Sequence, residues 1–93
     1  MTKPEFLNLL NQHGFPEPVL VEQPPNGYLG SHTHDFEVLA LVIEGSIDIE
    51  IEGNHTHYLT GDVFHLDFNQ THSEHYSKDG VKYLASRKRS QAH

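Results

Sequence analysis

The stretch Ser31-His32-Thr33-His34-Asp35-Phe36-Glu37-Val38-Leu39-Ala40-Leu41-Val42-Ile43-Glu44-Gly45, SHTHDFEVLALVIEG, sets two histidines one residue apart at the mouth of a long apolar run. Residues 36–43 are apolar apart from Glu37, as in a central strand covered on both faces. Gly45 punctuates the run. Alternate residues of a strand share a face, so His32 and His34 point the same way, and Phe36, Val38, Ala40 and Val42 continue that face. Two imidazoles beside a buried strand are costly unless something satisfies them.

Downstream, Ile47-Asp48-Ile49-Glu50-Ile51-Glu52 alternates strictly, with isoleucines on one face and acids on the other. Gly53-Asn54, Gly61-Asp62, Asn69-Gln70 and Asp79-Gly80 read as turns between further short strands at His55–Thr60, Val63–Leu66, Thr71–Tyr76 and Val81–Ser86. Upstream, Asn26-Gly27 is a turn, Val19–Glu22 suits an edge strand, and four prolines from Pro16 to Pro25 keep the chain extended. Pro4 to His13 has an apolar helical face in Phe6, Leu7, Leu9 and Leu10, with Gly14 as a stop. The expectation is an all-β antiparallel barrel or sandwich of about eight short strands behind a short N-terminal helix.

The chain has 93 residues, enough for one domain. A domain so small is marginal alone, which favours a homodimer. Cysteine is absent, so disulfides and thiolate metal sites are excluded. The formal charge of −7 argues against nucleic acid as a partner. No apolar run approaches the roughly 18 residues of a membrane span. MTKPEFLNLL lacks the apolar core of a secretory signal, so a cytoplasmic location is expected. Arg87-Lys88-Arg89 reads as the start of a solvated basic tail. Nine histidines without cysteine is the odd feature, because imidazole is the commonest protein metal ligand.

The pattern resembles the cupins, small jelly-roll barrels with the motifs G-x5-H-x-H-x3,4-E-x6-G and G-x5-P-x-G-x2-H-x3-N. His32-Thr33-His34 supplies the paired histidines and Gly45 the closing glycine. Gly61 opens the second motif, and His72 lies at its expected distance. The match covers residues 28–86, leaving residues 1–27 as helix and proline-rich arm and 87–93 as tail. There are departures: Val38 stands where the first motif has glutamate, with Glu37 one residue early, and Asp67, Asn69 and Tyr76 replace the second motif's proline, glycine and asparagine.

The resemblance implies a divalent transition metal (Zn, Fe, Ni, Mn or Cu) held in the barrel by His32, His34, His72 and a carboxylate. Regular alternation turns Glu37 away from His34, and a β-bulge between them would restore it. Glu74 shares parity with His72 and is the competitor, so the ligand role is open between the two. Phe36, Val38, His57, Glu74 and Tyr76 are candidate pocket residues. His57 is a candidate because His55 and His57 share parity with Leu59, which is expected to face inward; the alternative is that His55, or both histidines, sit on a solvated strand end. The implied function is a metal-dependent oxygenase or isomerase acting on a small polar molecule. The alternative is a non-catalytic, small-molecule-binding or sensory module, similar to the sugar-sensing barrel of AraC-type regulators but ending before a DNA-binding domain could begin.

Overall fold

The computed structural model describes residues 1–89. Helix α1 spans Lys3–Gln12, and six strands follow: β1 (Val19–Gln23), β2 (Tyr28–His32), β3 (Phe36–Ile51), β4 (Asn54–Tyr58), β5 (Val63–Leu66) and β6 (His72–Arg89). All strand pairings are antiparallel.

The count is smaller than the sequence pattern suggests because β3 and β6 are each continuous through an expected turn. β3 runs 16 residues through Gly45, and β6 runs 18 residues through Asp79-Gly80. Gly45 and Gly80 both have positive φ, yet the chain bends there instead of reversing. Register shifts between Val42 and Glu44 and between Gly45 and Ile47 mark the bend in β3. A bulge inserts extra backbone into one strand and kinks it without breaking the ladder.

The two bent strands therefore serve both layers of the barrel. Their outer halves, Phe36–Val42 and Val81–Arg89, pair with each other and are flanked by β5 and β1. Their inner halves, Ile47–Glu50 and Ser73–Tyr76, also pair and are flanked by β4 and β2. Between the layers lies a core including Val38, Ala40, Val42, Ile47, Ile49, Phe64, Leu66, Tyr76 and Tyr83. The isoleucines face in and the acids of the same segment face out, as the alternation requires.

Of the residues 36–43 expected to be covered on both faces, Val38–Val42 are buried, while Phe36, Glu37 and Ile43 are partly exposed. Leu39 and Leu41 project from the opposite face of β3 against Phe6 and Leu10 of α1. The helix starts where Thr2 and Glu5 cap each other reciprocally, with a proline in the first turn. Arg87, Lys88 and Arg89 are the last residues of β6 and not part of a tail; residues 90–93 lie outside the described residues. Lys88 and Ser86 turn to the helix side, donating to the carbonyls of His13 and Pro16 at 2.8 and 2.6 Å. Among the described residues, no helix is long and apolar enough to cross a membrane.

Candidate metal centre

The register of β2 on β6 slips by one residue between Leu29 and His32, and this bulge sets His32 directly opposite His72. Their ring centroids are 4.1 Å apart. His34 follows in the connection to β3, where its carbonyl accepts from the Asn69 amide at 2.7 Å. Its ring lies edge-on to His32 at 4.8 Å and stacks on Phe36 at 4.8 Å. One ring nitrogen from each of His32, His34 and His72 falls within 4.8 Å of the others. Nitrogens bound to a metal at about 2.0–2.1 Å sit roughly 3–4 Å apart, so a small inward movement would complete such a set.

Backbone carbonyls fix which nitrogen two of the three rings offer. His32 Nδ1 lies 2.7 Å from the Gly30 carbonyl and His72 Nδ1 lies 3.0 Å from that of Gln70. A carbonyl only accepts, so Nδ1 carries the proton in both rings and the lone pair is left on Nε2. The Nε2 of His32 is buried without a hydrogen-bond partner. A buried polar atom in that condition costs free energy unless a ligand occupies its lone pair.

Glu74 completes the group. Its Oε2 is 3.2 Å from His72 Nε2 and 3.6 Å from His32 Nε2, and its Oε1 accepts from the Tyr76 hydroxyl at 3.1 Å. The carboxylate is almost fully buried. A carboxylate facing an imidazole lone pair at this distance requires a cation between them, either a proton or a metal. The balance of forces agrees. Burial pulls the His72 pKa down, but its bonds to Glu74 and the Gln70 carbonyl outweigh this and raise it above 6.5. Burial pushes Glu74 up, but its bonds to His72 and Tyr76 and the nearby imidazoles bring it below 4.5. His34 is lowered by burial first, then by the charges of His32 and His72. Tyr76 is raised by burial and by the Glu74 charge, so its hydroxyl remains a donor.

Glu37 is not in this group. Its carboxylate bonds His65 on the opposite face of β3, next to Asp67. The bulge that would have turned it inward is absent, since β3 keeps regular register on β6 from Phe36 to Val42. His57 is not a pocket residue either. It is exposed and bonds Asp48 on the outer face, while its neighbour Tyr58 packs toward the core. Leu59, used to set the parity of β4, lies beyond the strand end and is exposed. Tyr76 acts through Glu74 and is part of the core.

Beside the histidines lies a cavity of about 60 Å³, reached by His34 and Glu74, walled by Phe36, Val38 and Phe64, and edged by Arg87. Phe36 and Val38 are where the sequence places them. Arg87 reads as tail in the sequence; it shares parity with the core residues Tyr83 and Ala85 but lies exposed at the cavity edge. A larger groove of about 450 Å³ beside Pro24, Glu44 and Lys82 is lined, among the described residues, by no histidine.

The cupin domain family matches residues 19–84. No curated protein sequence matches the chain. Among solved structures, a cupin superfamily protein from Desulfitobacterium hafniense superposes with a TM-score of 0.68 at 15% identity, covering 76% of this chain and 64% of that one. KdgF from Halomonas sp. gives 0.65 at 20% identity over 82% of this chain and 73% of its own. The W96Y oxalate decarboxylase of Bacillus subtilis gives 0.69 at 21% identity over 77% of this chain, but only 20% of its own. The chain thus spans less than two thirds of the first of these proteins and one fifth of the last. At these identities the likeness concerns the fold. With the family match spanning most of its length, the chain belongs to the cupins.

Proposed function

We propose that this protein binds a divalent transition metal through His32, His34, His72 and Glu74 and presents it to a small polar molecule in the adjoining cavity. The buried Nε2 of His32 carries the reading: it has no hydrogen-bond partner, and the nearest charge is the Glu74 carboxylate, 3.6 Å away. Four protein ligands of this kind leave positions open on a five- or six-coordinate ion, and a bound metal would supply Lewis-acid or redox chemistry there. The chain's own residues orient the rings through the Gly30 and Gln70 carbonyls, anchor Glu74 through Tyr76, and wall the cavity with apolar side chains. A cavity of about 60 Å³ is small beside the roughly 300–1,000 Å³ of drug-sized ligand pockets. It suits a molecule of a few heavy atoms, as substrate of an oxygenase or isomerase.

Titrating Co²⁺ into metal-stripped, tag-free protein tests this. Saturation at one equivalent, with visible absorption bands that disappear in His72→Ala, is expected. Identical titrations of wild type and His72→Ala would refute the site.

The same reading extends to a homodimer. β1 is a sheet edge that exposes Val19 and Leu20, and the exposed Tyr28 and Leu29 begin β2. Pairing of this arm with a second copy would cover an open edge and the apolar residues on it.

A further inference from the structure

Six basic side chains face thirteen acidic ones in this chain. Among the described residues, only two of the six have a carboxylate partner. Arg89 pairs with Asp35 and Lys82 with Glu44. Among the described residues, no carboxylate pairs with Arg87. Its guanidinium instead rests over the Phe36 ring, 5.4 Å from the centroid. The same ring stacks on His34 at an interplanar angle of 12°. One aromatic side chain thus positions both a candidate ligand and a fixed cation, and all three border one cavity. The charge of Arg87 reaches His34, where it is one of the influences disfavouring the imidazolium.

We infer that Arg87 selects an anionic ligand, and that the molecule entering the cavity is a short organic acid whose carboxylate pairs with this guanidinium. The inference rests on the metal-centre reading above and adds a substrate class to it. A guanidinium presents parallel N–H donors that match the two oxygens of a carboxylate, and its stacking on Phe36 reduces the freedom lost on binding. The cavity limits the acid to a few heavy atoms. The rest of its lining is apolar except for His34, Glu74 and Tyr83. Glu74 would repel an anion by itself, and its neutralisation by a metal or by His72 removes that obstacle. Arg87 is a binding residue here and needs no part in bond making.

The test is calorimetric titration of glycolate, and of its neutral amide glycolamide, into the metal-loaded full chain. Wild type is compared with Arg87→Gln and Arg87→Lys, and metal content and thermal melting are recorded for each. Arg87→Gln should bind glycolate at least about tenfold more weakly, the loss typical of a charged hydrogen bond. Arg87→Lys should fall between, having the charge without the fork. Glycolamide should bind wild type weakly and be indifferent to the substitution. Equal metal content in all three proteins separates this effect from damage to the centre. Glycolate affinity unchanged in Arg87→Gln, or no preference for glycolate over glycolamide in wild type, would overturn the inference. If the chain takes up no metal, the metal reading fails by itself, and the same titrations on the metal-free protein decide the role of Arg87 by the same two outcomes.

Discussion

Two carboxylates competed for one role, and their surroundings separate them. Glu74 is buried among His32, His72 and Tyr76, whereas Glu37 bonds His65 across the strand on the other face. Glu74→Gln should therefore lower metal affinity by at least about tenfold, and Glu37→Gln should leave it unchanged, as read by competition with a chelating dye. The reverse order would move the ligand role to Glu37. The metal-free protein gives a second reading of the same pair. Because the His72 pKa is raised above 6.5, its contribution to stability is complete below that pH and is lost as pH rises through the raised value. Because the Glu74 pKa is lowered below 4.5, its contribution is complete above that pH and is lost as pH falls through the lowered value. The pair is thus worth most between about pH 4.5 and 6.5. The melting difference between metal-free wild type and Glu74→Gln should be greatest in that window and shrink toward alkaline pH. A difference that stays constant from pH 5 to 9 would show that the two groups do not share a proton.

At the level of elements, the glycine inside β3 and the one in the turn that follows it serve different needs. Gly45 and Gly53 have similar φ, +75° and +80°. A Cβ on Gly45 would lie 2.1 Å from the Gly80 carbonyl oxygen, whereas one on Gly53 would meet nothing within 4 Å. Gly53→Ala should thus show only the left-handed backbone penalty of about 1–2 kcal/mol. Gly45→Ala adds a clash with backbone that cannot yield, and should exceed about 3 kcal/mol in urea unfolding. Equal costs would mean that β3 and β6 are not in close contact at the bend.

The same glycines explain what the sequence could not show. A glycine between apolar runs marks a positive φ, but not whether the chain then reverses or bends, which is decided by the partner strand. The helix, the covered strand at 38–42 and the isoleucine face were legible because local periodicity fixes them. The pairing of His32 with His72 was legible only through motif spacing, since the bulge that creates it lies in Gly30-Ser31 and leaves no periodic trace. Between the two readings of His57 the structure shows the surface one, because Tyr58 and not Leu59 packs inward from this strand. Arg87 was hidden by its basic neighbours.

At the scale of the molecule, the apolar cluster under α1 is distinct from the His32, His34 and His72 group, whereas the core between the layers adjoins it. Phe6→Ala should cost about 3–5 kcal/mol of stability while leaving metal stoichiometry intact. The exposed apolar arm predicts particles of twice the 10.6 kDa chain mass in light scattering. Val19→Lys with Leu20→Lys should return them to the monomer, and a wild type that scatters as a monomer would rule out the pairing. The most direct measurement is elemental analysis of tag-free protein beside His32→Ala, the variant that removes the unpartnered Nε2. Close to one transition-metal ion per chain in wild type and almost none in a folded His32→Ala is the predicted result. Metal-free wild type after purification in metal-supplemented buffer, or full occupancy retained in His32→Ala, would contradict it.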